Sequence, residues 1–263
     1  MHQFLGHIGS FPIRSYSILF LLAILLGLGV TVTLAKLQKK DHLVDPLLDM
    51  IVPVLFGAII GSRFWHVFLF DWSYYKNNLW EIPAIWHGGL SIQGGVVGAL
   101  LVGLWYVRKH KLSFWELADL CAPGLILGQS IGRDANLMNG DAFGDPTGGN
   151  FGLIYPEGTV ARATYGDQPL WPAEVWEGQM DVIIFALIII LMQKKMPKGY
   201  LFLLYSVLYN AGRFCLEMLR GDSPRYLFHW TAAQWTAAIV IVISVLAGIY
   251  LTYADKKKEK IGQ

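Results

Sequence analysis

Residues 16–35 decide the fold, and they read YSILFLLAILLGLGVTVTLA. These 20 residues carry no charge, and as a helix they cover about 30 Å, the thickness of the hydrocarbon layer of a bilayer. The stretch is not expected to be a cleaved signal peptide, because Lys36 follows where cleavage would need small residues. We therefore predict a transmembrane helix here.

Further long and mainly apolar runs follow the first. They lie at residues 47–70, 90–107, 114–131, 175–192, 200–219 and 232–253. Since the runs are continuous rather than alternating, they exclude a pore-lining β-barrel, and seven membrane-spanning helices are predicted. The sequence thus predicts an all-α integral membrane protein in which residues 1–263 form a single polytopic domain.

The composition leads to the same class of protein. Hydrophobic residues make up 54% of the 263 residues and charged residues only 15%, with a mean hydropathy of +0.44, which is too apolar for an ordinary soluble domain. With 21 basic against 19 acidic residues, nucleic-acid binding is not expected. The histidines are scattered without the spacing of a zinc centre, so no metal is predicted.

Small residues recur every four positions in several of these runs, which predicts close packing of helices. They are Gly57 and Gly61; Gly94 and Gly98; and Gly124, Gly128 and Gly132.

Basic residues cluster between alternate runs, at residues 36–40, 108–111, 194–198 and 256–260. By the positive-inside rule these segments face the cytoplasm, so the N-terminus is predicted outside and the C-terminus inside. The loop region at about 132–174 then lies on the outer face. It is long and rich in Gly and Pro, and ordered loops of this length are often functional.

Two polar stretches are candidates for a functional site. Residues 132–144 read GRDANLMNGDAFG, which fits a polar site or a solvated turn segment. In the sixth run, charged and aromatic residues at spacings of four, four and three share one helical face, and such groups usually mark function inside a membrane. A self-neutralising pair of Arg213 with Glu217 is the alternative. The face consists of Tyr209, Arg213, Glu217 and Arg220.

Arg133 and Arg213 are predicted to open toward the same outer side. A guanidinium group offers planar, permanently charged donors that suit a phosphate diester, so the pair indicates a phospholipid head group. Asp141 and Glu217 supply carboxylates that act as bases or orient the arginines. Arg63 is a third candidate, but we favour a structural role for it, with the side chain snorkelling toward the interface.

Over nearly its whole length the chain resembles the prolipoprotein diacylglyceryl transferases of the bacterial inner membrane. Residues 132–144 resemble the family signature G-R-x-x-N-x-x-N-G-[ED], which is highly specific. Further segments resemble the family as well: GGLSIQGG at residues 88–95, Tyr16 after Arg14, and residues 209–220.

The resemblance implies a multi-pass enzyme of the bacterial inner membrane. It takes phosphatidylglycerol from the lipid bilayer and moves the diacylglyceryl group to the lipobox cysteine of a preprolipoprotein signal peptide, which yields a thioether and glycerol phosphate. No cofactor is implied. Arg133, Asn136, Asp141, Tyr16, Tyr209, Arg213 and Glu217 match residues of the family motifs. We predict catalytic roles for Arg133, Asp141, Arg213 and Glu217. We predict substrate binding by Arg133, Asn136, Tyr16, Tyr209, Gln93 and Gly94.

Some positions depart from the family pattern, and the most important is Gln93, where many members carry a histidine proposed to deprotonate the thiol. Glutamine cannot accept that proton, yet a thiol reacts as its thiolate. We therefore predict Asp141 or Glu217 as the base, with His87 as a lesser candidate. The other departures are Trp171 and Glu174, in a segment where the family often has H-P-x-Q-L-Y-E.

A membrane transporter or flippase for an anionic solute or lipid is the alternative function. Its arginine-lined cavity would resemble the enzyme's site. A transporter leaves phosphatidylglycerol and cysteine chemically unchanged, so analysis of the products separates the two functions.

Overall fold

The structure, a computed structural model, describes residues 1–9 and 11–261, so the end of the predicted cytoplasmic tail lies outside the described residues. Strands β1 Phe4–Ile8 and β2 Phe11–Arg14 pair as an antiparallel hairpin. Almost all other regular structure is helical. The helices are α1 Ser15–Leu37, α2 Val44–Trp65, α3 Trp72–Tyr75, α4 Ile92–Lys109, α5 Phe114–Asn139, α6 Val160–Tyr165, α7 Ala173–Met192, α8 Tyr200–Leu216 and α9 Ala232–Ile261.

Each predicted apolar run forms a helix or most of one. The second run consists of α2 and a π-helical continuation, His66–Phe70. The all-α architecture is thereby confirmed, while the count of seven spans and their orientation stay predictions. Within the described residues, 4 helical segments are long and apolar enough to cross a membrane: Ser15–Leu37, Asp41–Phe70, Ala173–Met192 and Ala232–Lys256.

The predicted start of the loop region at residue 132 is wrong. Helix α5 continues to Asn139, so Arg133 and Asn136 lie on its last two turns rather than in a loop. The sequence contains no helix-breaking residue in this stretch until Gly140. Gly140 has a φ of +74°, the left-handed conformation that commonly terminates helices.

The predicted helical face on the sixth run is also wrong at one residue. Helix α8 ends at Leu216, and Glu217–Leu219 form a 3₁₀ turn. Arg220 follows with φ −73° and ψ 131°, which is extended backbone. A tighter last turn is a common way to close a helix, and here it turns the chain out of the helix before Arg220.

Contacts between residues divide the chain into two compact units. The larger unit comprises Met1–Leu34 and Ala118–Gln263, and the smaller comprises Ala35–Leu117. Helices α1 and α5 contribute residues to both. The prediction of one polytopic domain stays a prediction.

Glycine faces hold α2 against α4 in the smaller unit. A Cβ atom on Gly61 would lie 2.3 Å from the carbonyl oxygen of Gly94, and one on Gly98 would lie 2.1 Å from that of Gly57. These distances leave no space for a side chain, so the helices pack backbone to backbone as predicted.

Helices α1 and α5 approach each other in the same way in the larger unit. A Cβ atom on Gly124 would lie 2.3 Å from the carbonyl oxygen of Gly27. One on Gly128 would make an ordinary contact, 3.4 Å from the oxygen of Ala23, and one on Gly132 would meet no described atom within 4 Å. The predicted close packing therefore holds for Gly124 alone in this series.

The core of the larger unit joins α5, α7 and α8. Asp119 fixes the start of α8 to α5: its Oδ2 accepts a hydrogen bond from the Gly199 amide at 2.6 Å, and its Oδ1 accepts one from the Phe202 amide at 2.8 Å. A carboxylate at a helix N-terminus is electrostatically favourable. The buried core residues are Ala122, Ile126, Ile184, Ile188 and Tyr205.

Candidate active site

The last turns of α5, the first turns of α7 and the end of α8 bring charged side chains together in the larger unit. Glu177 of α7 lies at the centre and is only 1% exposed. Its Oε2 lies 2.7 Å from Nε of Arg133, its Oε1 pairs with Arg213, and the same oxygen lies 3.7 Å from Nη1 of Arg220. One buried carboxylate thus organises three arginines. We call Arg133, Glu177, Arg213, Glu217 and Arg220 the arginine cluster.

The chain segment that follows α5 packs against the segments that flank the arginine cluster. A Cβ atom on Gly144 would lie 2.4 Å from the carbonyl oxygen of Trp171 and 2.9 Å from that of Leu219. Since only glycine fits so close an approach, this segment lies against both the entry to α7 and the exit of α8. The amide of Asp145 donates to the Leu219 oxygen at 2.8 Å, and the amide of Gly221 donates to the Phe143 oxygen at 3.1 Å.

Arg213 and Glu217 form the predicted pair, with Nη2 of the arginine 2.6 Å from Oε2 of the acid. The pair does not stand alone, because Arg213 also bonds Glu177. Arg220 makes a bidentate contact with Asp222, at 2.7 Å for both hydrogen bonds. The predicted contact between Arg213 and Glu217 is therefore present, but this pair is only one part of a larger group of charged side chains.

Arg133 is less fully engaged than the other two arginines. Its Nη2 donates to the Tyr209 hydroxyl at 3.4 Å, and within the described residues its Nη1 has no hydrogen-bond partner. The side chains of Arg133 and Arg213 remain 16% and 15% exposed. Both arginines are thus held by carboxylates and still reachable, which suits the exchange of one anionic partner for another.

Asp141 lies beside the cluster and is held by amides. Its Oδ1 accepts from Nδ2 of Asn136 at 2.9 Å, and its Oδ2 accepts from Nδ2 of Asn139 at 3.1 Å. Tyr16, on the first turn of α1, interacts electrostatically with both Asp141 and Arg133. The predicted residues Tyr16, Asn136 and Asp141 are therefore brought together with the arginines.

Further acidic groups are buried next to the cluster. Glu174 and Asp181 are both 0% exposed. Glu174 accepts a hydrogen bond from the hydroxyl of Tyr155, whereas neither oxygen of Asp181 has a hydrogen-bond partner among the described residues. Burial raises the pKa of the Tyr155 phenol far above its ordinary value, and the adjacent Glu174 raises it further. Tyr155 is thus a hydrogen-bond donor at physiological pH and not a base.

The predicted residues Gln93 and Gly94 lie in the smaller unit. Gln93 is exposed, and its Oε1 accepts a hydrogen bond from the Ser91 hydroxyl at 2.6 Å. Gly94 makes the backbone contact with Gly61 described above. His87 pairs with Glu81 at 2.8 Å and is exposed. The roles predicted for these residues stay predictions.

Arg63 has a structural role, as predicted, but the prediction that its side chain snorkels toward the interface is wrong. The residue is 6% exposed and donates to backbone oxygens at 2.7 Å, 2.6 Å, 3.0 Å and 3.3 Å, with one shorter contact in addition. Since these carbonyls satisfy the guanidinium inside the protein, its side chain has no need of water. The acceptors are the carbonyl oxygens of Ile82, Gly88, Gly89, Ala84 and Glu81.

Sequence reasoning missed the centre of the site. Glu177 and Asp181 were not predicted as site residues, because the segment that contains Glu177 was considered only for its departures from the family. The spacing of Glu174, Glu177 and Asp181 by three and four places them on one face of α7. The same spacing identified the face on α8, so it was sufficient to find this one.

Comparison with known proteins gives a consistent result. A family model described as "Prolipoprotein diacylglyceryl transferase" matches residues 3–250. Proteins named phosphatidylglycerol–prolipoprotein diacylglyceryl transferase are similar to the chain. The one from Acaryochloris marina is 38% identical over 82% of this chain and 78% of its own length. For Geobacillus kaustophilus these values are 37%, 91% and 88%, and for Listeria welshimeri 35%, 92% and 87%.

Proposed function

Because the chain belongs to the prolipoprotein diacylglyceryl transferase family, we propose that it transfers the diacylglyceryl group of phosphatidylglycerol to the lipobox cysteine of preprolipoproteins. The names of its relatives state both substrates, and the similarity extends over most of each chain. The arginine cluster is the observation that carries the proposal to particular residues, because it offers a phosphate guanidinium donors on side chains that are mostly buried yet still 16% and 15% exposed.

The proposal includes the membrane arrangement. Seven helices span the bacterial inner membrane, with the N-terminus outside and the C-terminus in the cytoplasm. The alternating basic segments support this orientation. The arginine cluster then lies at the outer face, where a secreted preprolipoprotein presents its cysteine.

The phosphate of phosphatidylglycerol binds between Arg133 and Arg213 in this mechanism. The cysteine sulfur attacks the glyceryl carbon that bears the phosphate ester; a carbon–sulfur bond forms, and the carbon–oxygen bond to phosphate breaks. Glycerol phosphate leaves with the bonding electrons, so negative charge grows next to the arginines and is stabilised there. Glu177 positions both guanidinium groups, while Tyr16, Asn136 and Tyr209 orient the head group.

The thiol proton needs an acceptor, and Gln93 cannot supply one. Asp141 is the base favoured by its surroundings, because it is only partly buried and is bonded to neutral amides rather than to arginine. Glu217 is 1% exposed and its carboxylate already contacts Arg213, so it is less accessible to an incoming thiol. A lipobox cysteine beside Arg213 would also have its thiolate stabilised by the positive charge.

The test is mass spectrometry of a synthetic lipobox peptide incubated with phosphatidylglycerol and purified protein. We expect a diacylglyceryl adduct on the cysteine and release of glycerol phosphate, both lost with Arg133→Ala. Arg162→Ala is the matched control, because Arg162 pairs with an Asp167 that is 82% exposed. Unmodified peptide with folded wild-type protein would instead favour a transporter or flippase.

A further inference from the structure

The larger unit contains an apolar groove between α1 and α7 that the mechanism does not use. Its volume is about 670 Å³, within the range of small-molecule sites. The lining consists of apolar side chains together with Gly29 and Thr33. The α1 side runs from Leu25 to Leu34, and the α7 side runs from Phe185 to Ile190.

The groove lies on two helices, α1 and α7, that also carry residues of the candidate active site. Tyr16 lies on α1 nine residues before Leu25, and Glu177 lies on α7 eight residues before Phe185. At about 1.5 Å per residue, the groove begins about 12 to 14 Å along each helix from the site. The two helices give the same distance, so the groove lies below the arginine cluster in the direction of the bilayer interior.

We propose that this groove binds one acyl chain of the donor lipid. The inference rests on the function proposed above, in which the phosphate lies at the arginine cluster. A lipid of one leaflet extends about 20 Å from head group to chain end, half of the full bilayer thickness. Gly29, 13 residues after Tyr16, lies about 20 Å along α1. The distal part of the chain therefore occupies the groove and ends near Gly29.

Gly29 lies near the middle of the α1 side of the groove, between Leu25 and Leu34. A Cβ atom at this position would meet no described atom within 4 Å, so a larger side chain enters open space rather than displacing a neighbouring helix. Gly27, two residues earlier, is different, because a Cβ atom there would lie 2.6 Å from the Gly124 oxygen. Gly29 is thus a position where the groove can be shortened with the helix packing intact.

The experiment compares dilauroyl with dipalmitoyl phosphatidylglycerol as donors for wild-type protein and Gly29→Leu. We expect the ratio of kcat/KM for the long donor to that for the short donor to fall about tenfold in the variant, the effect of excluding roughly two methylene groups from the groove. Gly248→Leu is the matched control, because a Cβ atom at Gly248 in α9 meets only Leu203 at 3.8 Å. Its ratio should equal that of the wild type.

Several results would overturn the inference. An unchanged ratio in an active Gly29→Leu protein would remove the groove from lipid binding and leave the transferase function standing. A KM for the lipobox peptide that rises equally with both donors would assign the groove to the signal helix. Loss of turnover with both donors would question the site or the folding of the variant, and a second measurement then decides.

That measurement uses wild-type protein and phosphatidylglycerol carrying a diazirine near the end of one acyl chain. After irradiation we expect labelled residues on α1 and α7 along the groove, with labelling suppressed by excess phosphatidylglycerol and not by phosphatidylethanolamine. Labelling spread over all lipid-facing helices, or equal suppression by both lipids, would contradict a specific chain site.

Discussion

Arginines with mostly buried side chains occur in both units, and their guanidinium groups have different hydrogen-bond partners. In the smaller unit, Arg63 donates to carbonyl oxygens of residues 81–89. In the larger unit, Arg133 and Arg213 bond the Glu177 carboxylate and remain partly exposed. The backbone carbonyls around Arg63 bind its guanidinium and fix a loop. The carboxylate that binds Arg133 and Arg213 can be replaced by another anion, so only this carboxylate environment suits the binding of a phosphate.

Replacing Arg133 by lysine should disrupt the carboxylate environment of the larger unit, and it should reduce transfer activity more than the other substitutions below. Lysine keeps the charge and loses the planar fork that bonds Glu177 and a phosphate at once. We expect kcat/KM for peptide transfer to fall by about 10² to 10³, the usual effect of losing one donor aimed at developing negative charge. Transfer by Arg133→Lys at the wild-type rate would show that charge alone is enough.

Glu177→Gln removes the carboxylate that the three arginines share, so part of their positive charge is no longer neutralised. Breaking a buried ion pair by removing one partner typically costs about 3 to 5 kcal/mol, and we expect the lower part of that range because glutamine still accepts hydrogen bonds. The thermal midpoint of the detergent-solubilised protein should fall accordingly. Added glycerol phosphate should restore part of the loss, since a bound anion replaces the missing charge.

The matched control for this variant is Glu81→Gln in the smaller unit. Glu81 pairs with His87, and the two side chains are 35% and 59% exposed, so the loss of this pair should change the midpoint little. Glycerol phosphate that stabilises Glu177→Gln no more than Glu81→Gln would argue against an anion site at the cluster.

Arg63→Gln tests the environment in the smaller unit, where backbone carbonyls bind the guanidinium. Most of the hydrogen bonds to the carbonyls of residues 81–89 would be lost, so we expect a loss of about 2 kcal/mol in the free energy of unfolding. Transfer per folded molecule should fall less than about tenfold, because the guanidinium braces a loop and does not stabilise the leaving phosphate. A loss of turnover as large as that of Arg133→Lys would erase the contrast between the two arginines.

Tyr155→Phe should have the smallest effect. It removes the hydrogen bond to Glu174, which is fully buried, and an unsatisfied buried acceptor costs about 1 to 2 kcal/mol. Because the pKa of Tyr155 is raised and the phenol is not a base, the pH profile of transfer should keep its shape in this variant. A shifted profile would give Tyr155 a role in proton movement.

The sequence was sufficient for the helices and for part of the site. Long apolar runs predict helices because the backbone N–H and C=O groups of a segment in lipid must bond to each other. Arg133 was evident from its motif and Arg213 from its spacing. The end of α5 was misjudged because polar residues were equated with a loop, although a helix continues past the membrane edge until a residue such as Gly140 ends it. The hairpin β1–β2 is too short to have been predicted from its pattern.

Ion-pair partners were harder to predict than the arginines themselves. The spacing on α7 marks Glu177 as facing the same way as Asp181, yet spacing within one helix does not reveal that three arginines from α5 and the end of α8 converge on it. Such convergence depends on tertiary contacts, among them the close approach at Gly144. The exit of α8 before Arg220 likewise depends on the segment that packs against it.

The most direct measurement is the rate of transfer per folded molecule from phosphatidylglycerol to a lipobox peptide, compared between Arg213→Gln and Arg63→Gln. Both substitutions remove a mostly buried guanidinium, one paired with carboxylates and one with backbone carbonyls. We expect Arg213→Gln to be at least about 100-fold slower than Arg63→Gln, because only Arg213 stabilises the charge on the leaving glycerol phosphate. Equal rates, or a slower Arg63→Gln, would contradict the assignment of the arginine cluster as the active site.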